Sequence, residues 1–203
     1  MAADIDLYIP FVIRWETGVS LPGASNENLF DAARRSRNAF SDNALDRGGA
    51  TMCGVTLATY RAYCGGIGQT QPAVADLRGI AYADWRAIVA TMFWERWRAS
   101  DIASQAVAEA LVDWLWTSGT SGIKIPQRLL GVKADGIVGP MTLAAVARQE
   151  PAELFAALQS RREIYVHNIV ASSPSQRVWL NGWLNRIRAL TACHASSFGR
   201  CRS

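Results

Sequence analysis

The chain has 203 residues, of which half are apolar and 19% are charged, which suits one domain or two small ones sharing a core. This composition excludes a disordered chain, and the absence of a window of about 18 apolar residues argues against a transmembrane helix. The net charge of +4 favours a polyanionic partner such as nucleic acid, anionic lipid or an anionic cell wall. The eight Trp should build a core and line part of a groove.

The N-terminal part of the chain is predicted to contain one amphipathic helix and then a long polar segment. Apolar residues at helical spacing predict the helix over residues 7–16, with Gly18 as its stop and Pro10 near its first turn. The segment 19–45 is rich in Ser, Asn, Gly and Arg, and it has room for a short helix over 28–38. A loop of this length is typical of a functional or mobile region.

The rest of the chain is predicted to be a series of helices. Residues 102–119 are apolar nearly all round, which predicts the buried central helix. No stretch alternates strongly at period two, so at most a small β-hairpin is expected, near residues 46–56, and the fold is predicted to be mainly α. The other predicted helices cover residues 56–64, 82–97, 123–132, 140–149, 151–170 and 175–192.

Glu16 is the first candidate for chemistry. It follows Trp15 at the end of the first predicted helix. A carboxyl group that aromatic neighbours partly shield from water can donate a proton near neutral pH. Taken alone, an exposed Glu in a terminal turn is the commoner explanation.

Asp46 and Thr51 lie on the Gly-rich stretch "DRGGATMCGVT" (46–56). Gly49 allows backbone angles and a close approach that a side chain would prevent. An Asp and a Thr on such a turn could hold a water molecule between them. An Asx-turn leading into a hairpin explains the local sequence equally well.

An ordered set of motifs runs through most of the chain, from residue 5 to about 190. A helix-ending E-x-G is followed by D-x-G-G-A-T-x-x-G-V-T, and this order resembles glycoside hydrolase family 108, the peptidoglycan-cleaving N-acetylmuramidases. Four later stretches are similar to motifs of the same family: "MFWERWRASDI" (92–102), "LVDWLWTSG" (111–119), "LLGVKADGIVGPMTLAAV" (129–146) and "WLNGWLNRI" (179–187).

The resemblance implies a lysozyme-like helical fold in two lobes. Residues 1–120 would form the catalytic lobe, with 19–45 as an insertion that forms a lid or an extra wall of the groove. Residues 121–192 would form a helical lobe resembling a peptidoglycan-binding segment, and 193–203 a loose tail. For "DGIVGP" within the second lobe, the favoured interpretation is a tight turn that leads into a helix beginning with Pro. A direct role in binding glycan or stem peptide is the alternative.

The resemblance also implies the reaction. Glu16 matches the general acid that protonates the glycosidic oxygen, and Asp46 and Thr51 match positions that hold the attacking water, which suits an inverting cleavage. The bond would be the β-1,4 link between N-acetylmuramic acid and N-acetylglucosamine. The candidate substrate-binding residues are Tyr60, Thr117 (where the family tends to have Asn) and Gly49.

Two other functions remain open at this point. A lytic transglycosylase would need Glu16 alone, and a non-catalytic cell-wall-binding protein would need none of the three residues. For Trp114 and Trp116, a place in the core is favoured over sugar stacking. No metal or organic cofactor is implied, since the two His, at 167 and 194, lie far apart.

The four Cys leave the redox state open. Cys53, beside the candidate site, could pair with Cys64, or both could be buried free thiols. At the positions of Met52 and Cys53, the family usually has a polar residue followed by Tyr. Thr17 stands where the family usually has a second Gly. Nothing local in the sequence explains Cys53.

The expected partner is bacterial peptidoglycan, with no nucleic acid and no stable membrane insertion, and the chain is expected to act as a monomer. An immunity or secretion partner is unknown. The first residues begin with acids and lack a small-residue cleavage site, so no classical signal peptide is expected. The enzyme would then reach the wall, in the periplasm or a target cell, as a phage endolysin after holin-type release or as a secreted effector after dedicated export.

Overall fold

A computed structural model describes residues 2–42 and 49–197, so Asp46 lies outside the described residues. The prediction of a mainly α fold is confirmed, because the described residues form ten α-helices and one small three-stranded antiparallel sheet. The strands are β1 (Phe40–Ser41), β2 (Thr51–Met52) and β3 (Val55–Thr56). The helices are α1 (Ile5–Thr17), α2 (Asn26–Arg34), α3 (Leu57–Gly66), α4 (Val74–Arg78), α5 (Tyr82–Val89), α6 (Gln105–Ser118), α7 (Ser121–Leu129), α8 (Pro140–Ala147), α9 (Pro151–Ser172) and α10 (Arg177–His194).

The chain divides into two compact units. The N-terminal unit is Asp4–Arg96, and the C-terminal unit comprises Trp97–Ser203 together with Met1–Ala3. The division therefore falls before α6, whereas the predicted boundary between lobes was at residue 120. Helix α10 runs to His194 and includes the first two residues of the predicted tail. The assignment of functions to the two predicted lobes stays a prediction.

Helix α1 begins two residues earlier than predicted, and this changes the place of its proline. Pro10 lies in the second turn rather than the first, where its missing N–H leaves the carbonyl of Asp6 without the usual helical donor. The side chain of Asn26 in α2 supplies that donor, with Nδ2 2.9 Å from the Asp6 carbonyl oxygen. Gly18 ends the helix as predicted, in the left-handed conformation with φ 75°.

The insertion 19–45 is packed into the N-terminal unit wherever it is described. Its helix spans 26–34 rather than the expected 28–38, and it buries Phe30 completely, with the ring centroid 5.1 Å from that of Trp85. Farther along, Phe40 lies in β1 and pairs with Met52 of β2. The insertion thus contributes a helix to the core and an edge strand to the sheet.

The sheet contains the predicted hairpin and one strand that was not predicted. β2 and β3 are joined by the two-residue turn Cys53–Gly54. Both turn residues have positive φ, 45° and 80°, as in the type I′ turn that suits the twist of a two-residue hairpin. β1 adds on the other side of β2 and gives the order β1-β2-β3.

Helix α6 is the buried central helix, as predicted from its apolar sequence. Ten consecutive residues, 106–115, are buried, and Trp114 is fully enclosed. α7 lies close against α6 at Gly122, where any Cβ would collide with the backbone of Trp114. Three further Trp are fully buried: Trp85, Trp94 and Trp97. The prediction that Trp residues build the core is confirmed for these positions.

A buried charged cluster ties α6 to α9 and α10. Asp113 has no exposed side-chain surface, and it forms ion pairs with Arg162 at 2.7 Å and with Arg186 at 2.8 Å. Burial alone would raise the pKa of Asp113, but the charges and hydrogen bonds of the two arginines outweigh it and hold the pKa well below its usual value. Charged groups hidden from water at this depth must pair to be tolerated.

The "DGIVGP" stretch is a turn clamped by one glutamine. The side chain of Gln127, fully buried in α7, donates to the carbonyl of Ile137 at 2.9 Å and accepts from the N–H of Gly136 at 2.9 Å. Gly136 has φ 85°, and Pro140 occupies the first position of α8. Each of these residues therefore has a turn or capping role. Among the described helices, none is long and apolar enough to cross a membrane.

Candidate active site

Glu16 lies in the last turn of α1 and is partly buried. Trp15, its neighbour in sequence, is also partly buried, with its ring centroid 6.1 Å from that of Phe11. The negative charge of Glu16 acts on Cys53 in the turn of the β-hairpin. The end of α1 and the β2–β3 turn therefore share one electrostatic environment, although 37 positions separate the two residues along the chain.

Cys53 is a structural residue of the turn. Burial, followed by the charge of Glu16, raises the pKa of its thiol to about 12, against a smaller lowering by Arg34. Its backbone N–H donates to the carbonyl of Ala39 at 2.7 Å, and its own carbonyl accepts from the indole N–H of Trp85 at 3.1 Å. Cys53 and Cys64 are both buried free thiols, so the alternative of a disulfide between them is wrong.

Thr51 and Gly49 lie together at the start of the hairpin. The hydroxyl of Thr51 donates to the carbonyl of Gly49 at 3.2 Å, and the side chain is partly exposed. Gly49 has φ 62°, and no atom of the described residues lies within 4 Å of where a Cβ would stand. Glycine is therefore favoured here by its backbone angle.

Thr17 shows why this chain can replace the second glycine of the family motif. Its side chain is buried and its hydroxyl donates to the carbonyl of Ile13 at 2.7 Å. The same oxygen accepts from the N–H of Val19 at 3.2 Å, which helps to close the helix end beside Glu16. This role was not predicted, although a Thr followed by Gly at a helix end was the available signal.

Tyr60 lies on α3, partly buried, within the same unit as Glu16 and Thr51. Burial raises the pKa of its hydroxyl, and the largest contribution from another charge comes from Asp84 of α5. The Tyr60 hydroxyl is therefore close enough to α5 for the charge of Asp84 to act on it. A stacking role for the ring stays a prediction.

Thr117 lies in the C-terminal unit, where its hydroxyl belongs to the buried charged cluster. It accepts from Arg162 at 2.9 Å and donates to the carbonyl of Asp113 at 3.0 Å. These contacts give the hydroxyl a structural use, and a contact with substrate stays a prediction. Trp114 is buried in the core, as favoured, and Trp116 is partly buried.

No group of three or more His, Cys, Asp and Glu side chains that could hold a metal ion occurs within residues 2–42 and 49–197. His194 is buried at the end of α10, and its Nε2 lies 2.8 Å from a carboxylate oxygen of Glu109. This histidine therefore fastens α10 to α6.

Comparison with known proteins gives two family matches and a similar solved structure. Residues 34–119 match the family model described as Glycosyl hydrolase 108, and residues 121–188 match the model described as Predicted Peptidoglycan domain. Among the solved structures, SagA from Brucella abortus superimposes with a TM-score of 0.66 at 24% identity, over 84% of this chain and 91% of that chain. This likeness shows the fold. No curated protein matches the chain.

The two family matches define a glycoside hydrolase that acts on peptidoglycan. Residues 34–119 match the glycosyl hydrolase 108 family, as the motifs indicated, and a predicted peptidoglycan domain follows the hydrolase segment. The hydrolase match includes Thr51, Tyr60 and Thr117 but begins after Glu16. The role of Glu16 therefore depends on its position in the structure and on the motif around it.

Proposed function

We propose that the enzyme is an N-acetylmuramidase that cleaves the β-1,4 bond between N-acetylmuramic acid and N-acetylglucosamine, with Glu16 as general acid. The observation that carries this assignment is that the charge of Glu16 acts on Cys53, in the turn of the hairpin that bears Thr51. A partly buried carboxyl group at the end of an apolar helix therefore lies near this hairpin, and a glycosidase needs an acid and a water-holding group near one bond.

In the proposed reaction Glu16 gives its proton to the glycosidic oxygen as the bond to the sugar carbon breaks. A water molecule attacks that carbon from the opposite face, and its proton passes to Asp46 as general base. Thr51 would orient this water, because its hydroxyl donates to Gly49 and so keeps its lone pairs available to accept from the water. Such a pathway inverts the configuration at the anomeric carbon, so we propose an inverting mechanism.

Substrate would contact the N-terminal unit through Gly49 and Tyr60. The described residues leave space beside Gly49, which supports a close approach of a sugar to the backbone. The ring of Tyr60 would supply an apolar face for a sugar. We also propose Thr117, whose side chain is exposed, as a substrate-binding residue.

The decisive test compares purified wild-type enzyme with Glu16→Gln on isolated cell walls, using mass spectrometry of the released fragments. We expect the substitution to lower the rate by about 10²–10⁴-fold, the usual contribution of a general acid. Glu27→Gln is a matched control, since Glu27 is an exposed glutamate of α2 in the same unit. Wall cleavage that survives Glu16→Gln would rule out the assignment.

The fragments also distinguish the proposed function from the lytic transglycosylase. Hydrolysis leaves reducing ends, whereas a transglycosylase leaves anhydro ends that are lighter by one water. Asp46→Asn should abolish hydrolysis if Asp46 is the base, but it would leave a transglycosylase that uses Glu16 alone active. NMR of the first product reports the stereochemistry, and a retained β-product would exclude the inverting pathway.

We propose that the enzyme reaches the wall by holin-type release or by dedicated export, acting as a monomer. Expression in a bacterial host with and without a co-expressed holin tests the first route. Lysis that requires the holin would support it, and equal lysis without the holin would contradict it. Light scattering of the purified protein tests the monomer.

A further inference from the structure

A groove lies between α7 and α9 in the C-terminal unit, within the segment that matches the predicted peptidoglycan domain. Its volume is about 340 Å³, which lies in the range of small-molecule sites. α9 contributes side chains at positions 161, 164, 165 and 168, the spacing of one helix face. The principal lining residues are Arg128 and Leu129 from α7 and Arg161, Ile164, Tyr165 and Asn168 from α9.

The groove is cationic. Arg128 and Arg161 are exposed, the residues that line the groove include no acid, and neither arginine makes an ion pair within the described part of the chain. The nearby acid on α9, Glu163, lies two positions from Arg161 and pairs instead with Arg188 of α10 at 3.7 Å. Two guanidinium groups are therefore available to an anionic ligand.

The floor of the groove is partly apolar and fixed. Tyr165 packs against the buried Trp114, with ring centroids 6.1 Å apart. Ile164, beside it, is 47% exposed. Asn168, one turn farther along, offers both an amide donor and an acceptor. A ligand that suits this surface carries carboxylates, some apolar surface and amide groups, which is the chemistry of a short acidic peptide.

We propose that this groove binds the carboxylate-bearing stem peptide of peptidoglycan, with Arg128 and Arg161 paired to its carboxylates. A guanidinium group binds a carboxylate through two parallel hydrogen bonds, which a neutral sugar cannot replace. The proposal depends on the proposed function for one point, that the enzyme works on the cell wall. It assigns the peptide part of the wall to the C-terminal unit and leaves the glycosidic bond to the N-terminal unit.

The test uses the full-length protein and a soluble stem peptide, which contains no glycosidic bond and so cannot be cleaved by a glycosidase. Isothermal titration should show binding to wild type that weakens with added salt. The double substitution Arg128→Gln and Arg161→Gln should weaken binding by at least about tenfold, since the loss of even one charge-assisted hydrogen bond costs about that factor. Amidation of the peptide carboxylates should have a similar effect on wild type.

The matched control removes two other exposed arginines of the same unit, with Arg148→Gln and Arg177→Gln, and leaves the pair of Arg188 with Glu163 intact. This variant has the same net charge as the groove variant and should bind the peptide like wild type. Equal binding by groove and control variants would overturn the proposal, as would stronger binding of a glycan that lacks peptides. Because peptide binding does not depend on Glu16, this proposal and the muramidase assignment can fail independently.

Discussion

Replacing Asp113 by Asn should destabilise the C-terminal unit strongly. The carboxylate is fully buried and accepts hydrogen bonds of 2.7 Å from Arg162 and 2.8 Å from Arg186. An asparagine of the same shape removes the charge and turns one acceptor into a donor that faces the guanidinium groups. Breaking a buried pair in this way costs about 3–5 kcal/mol, against a total stability of about 5–15 kcal/mol for a typical protein.

Urea unfolding followed by circular dichroism measures this loss as a lower midpoint. The control is Glu163→Gln on α9, because that glutamate is 39% exposed and lies 3.7 Å from its arginine. Such a pair contributes about 0–1 kcal/mol. If Asp113→Asn costs no more than this control, the buried cluster does not hold the three helices together.

The pH dependence gives an independent check of the same cluster. Since the arginines lower the pKa of Asp113 in the folded state, its contribution to stability is complete above the unfolded pKa of about 3.9. That contribution is lost as the pH falls from there toward the folded pKa. Wild type should therefore lose more stability than Asp113→Asn on acidification below about pH 4. Parallel curves for the two proteins would contradict the assignment.

Three further predictions test local features. Native Cys53 should resist alkylation at pH 8, because a pKa of about 12 leaves roughly 10⁻⁴ of the thiol ionised. The exposed Cys193 should react under the same conditions. Rapid labelling of Cys53, measured by peptide mass spectrometry, would contradict its burial. Asn26→Ala should lower the free energy of unfolding by about 1 kcal/mol. This loss should disappear in a protein that also carries Pro10→Ala, because the new N–H at position 10 can donate to the Asp6 carbonyl. Additive effects of the two substitutions in urea unfolding would show that Asn26 does not replace the missing donor. Gly136→Ala should lower the thermal midpoint, because a side chain is strained at φ 85°, and an unchanged midpoint would show that the turn can relax.

Most helices could be predicted from the sequence, because the residues that begin, end and bury a helix lie within or next to the helix itself. The apolar run of 102–119 predicted the buried helix, and Gly18 and Pro140 marked a helix end and a helix start where the structure has them. β1 was missed because a two-residue strand has no periodicity of its own. Its place is set by pairing with β2, which no pattern within 19–45 could show.

The candidate site was predictable only as a set of motifs. Glu16 and Thr51 were found because their flanking residues match a family, but their spatial relation depends on how α1 and the hairpin pack. The buried partners of Asp113 were not predictable, because Arg162 and Arg186 lie 49 and 73 positions away. A carboxylate in an apolar helix indicates that partners exist without identifying them.

The turn at Cys53 explains what the insertion contributes to the candidate site. A non-glycine residue with φ 45° persists only if its surroundings hold it there. The hydrogen bond from its N–H to Ala39 comes from the insertion, and the bond to its carbonyl comes from Trp85, which packs against Phe30 of the same insertion. The described part of the insertion therefore supports the hairpin that carries Thr51, and its expected role as a lid or an extra wall of the groove stays a prediction. A small side chain suits this turn, because Cys53 has no exposed surface while its backbone makes both of these hydrogen bonds.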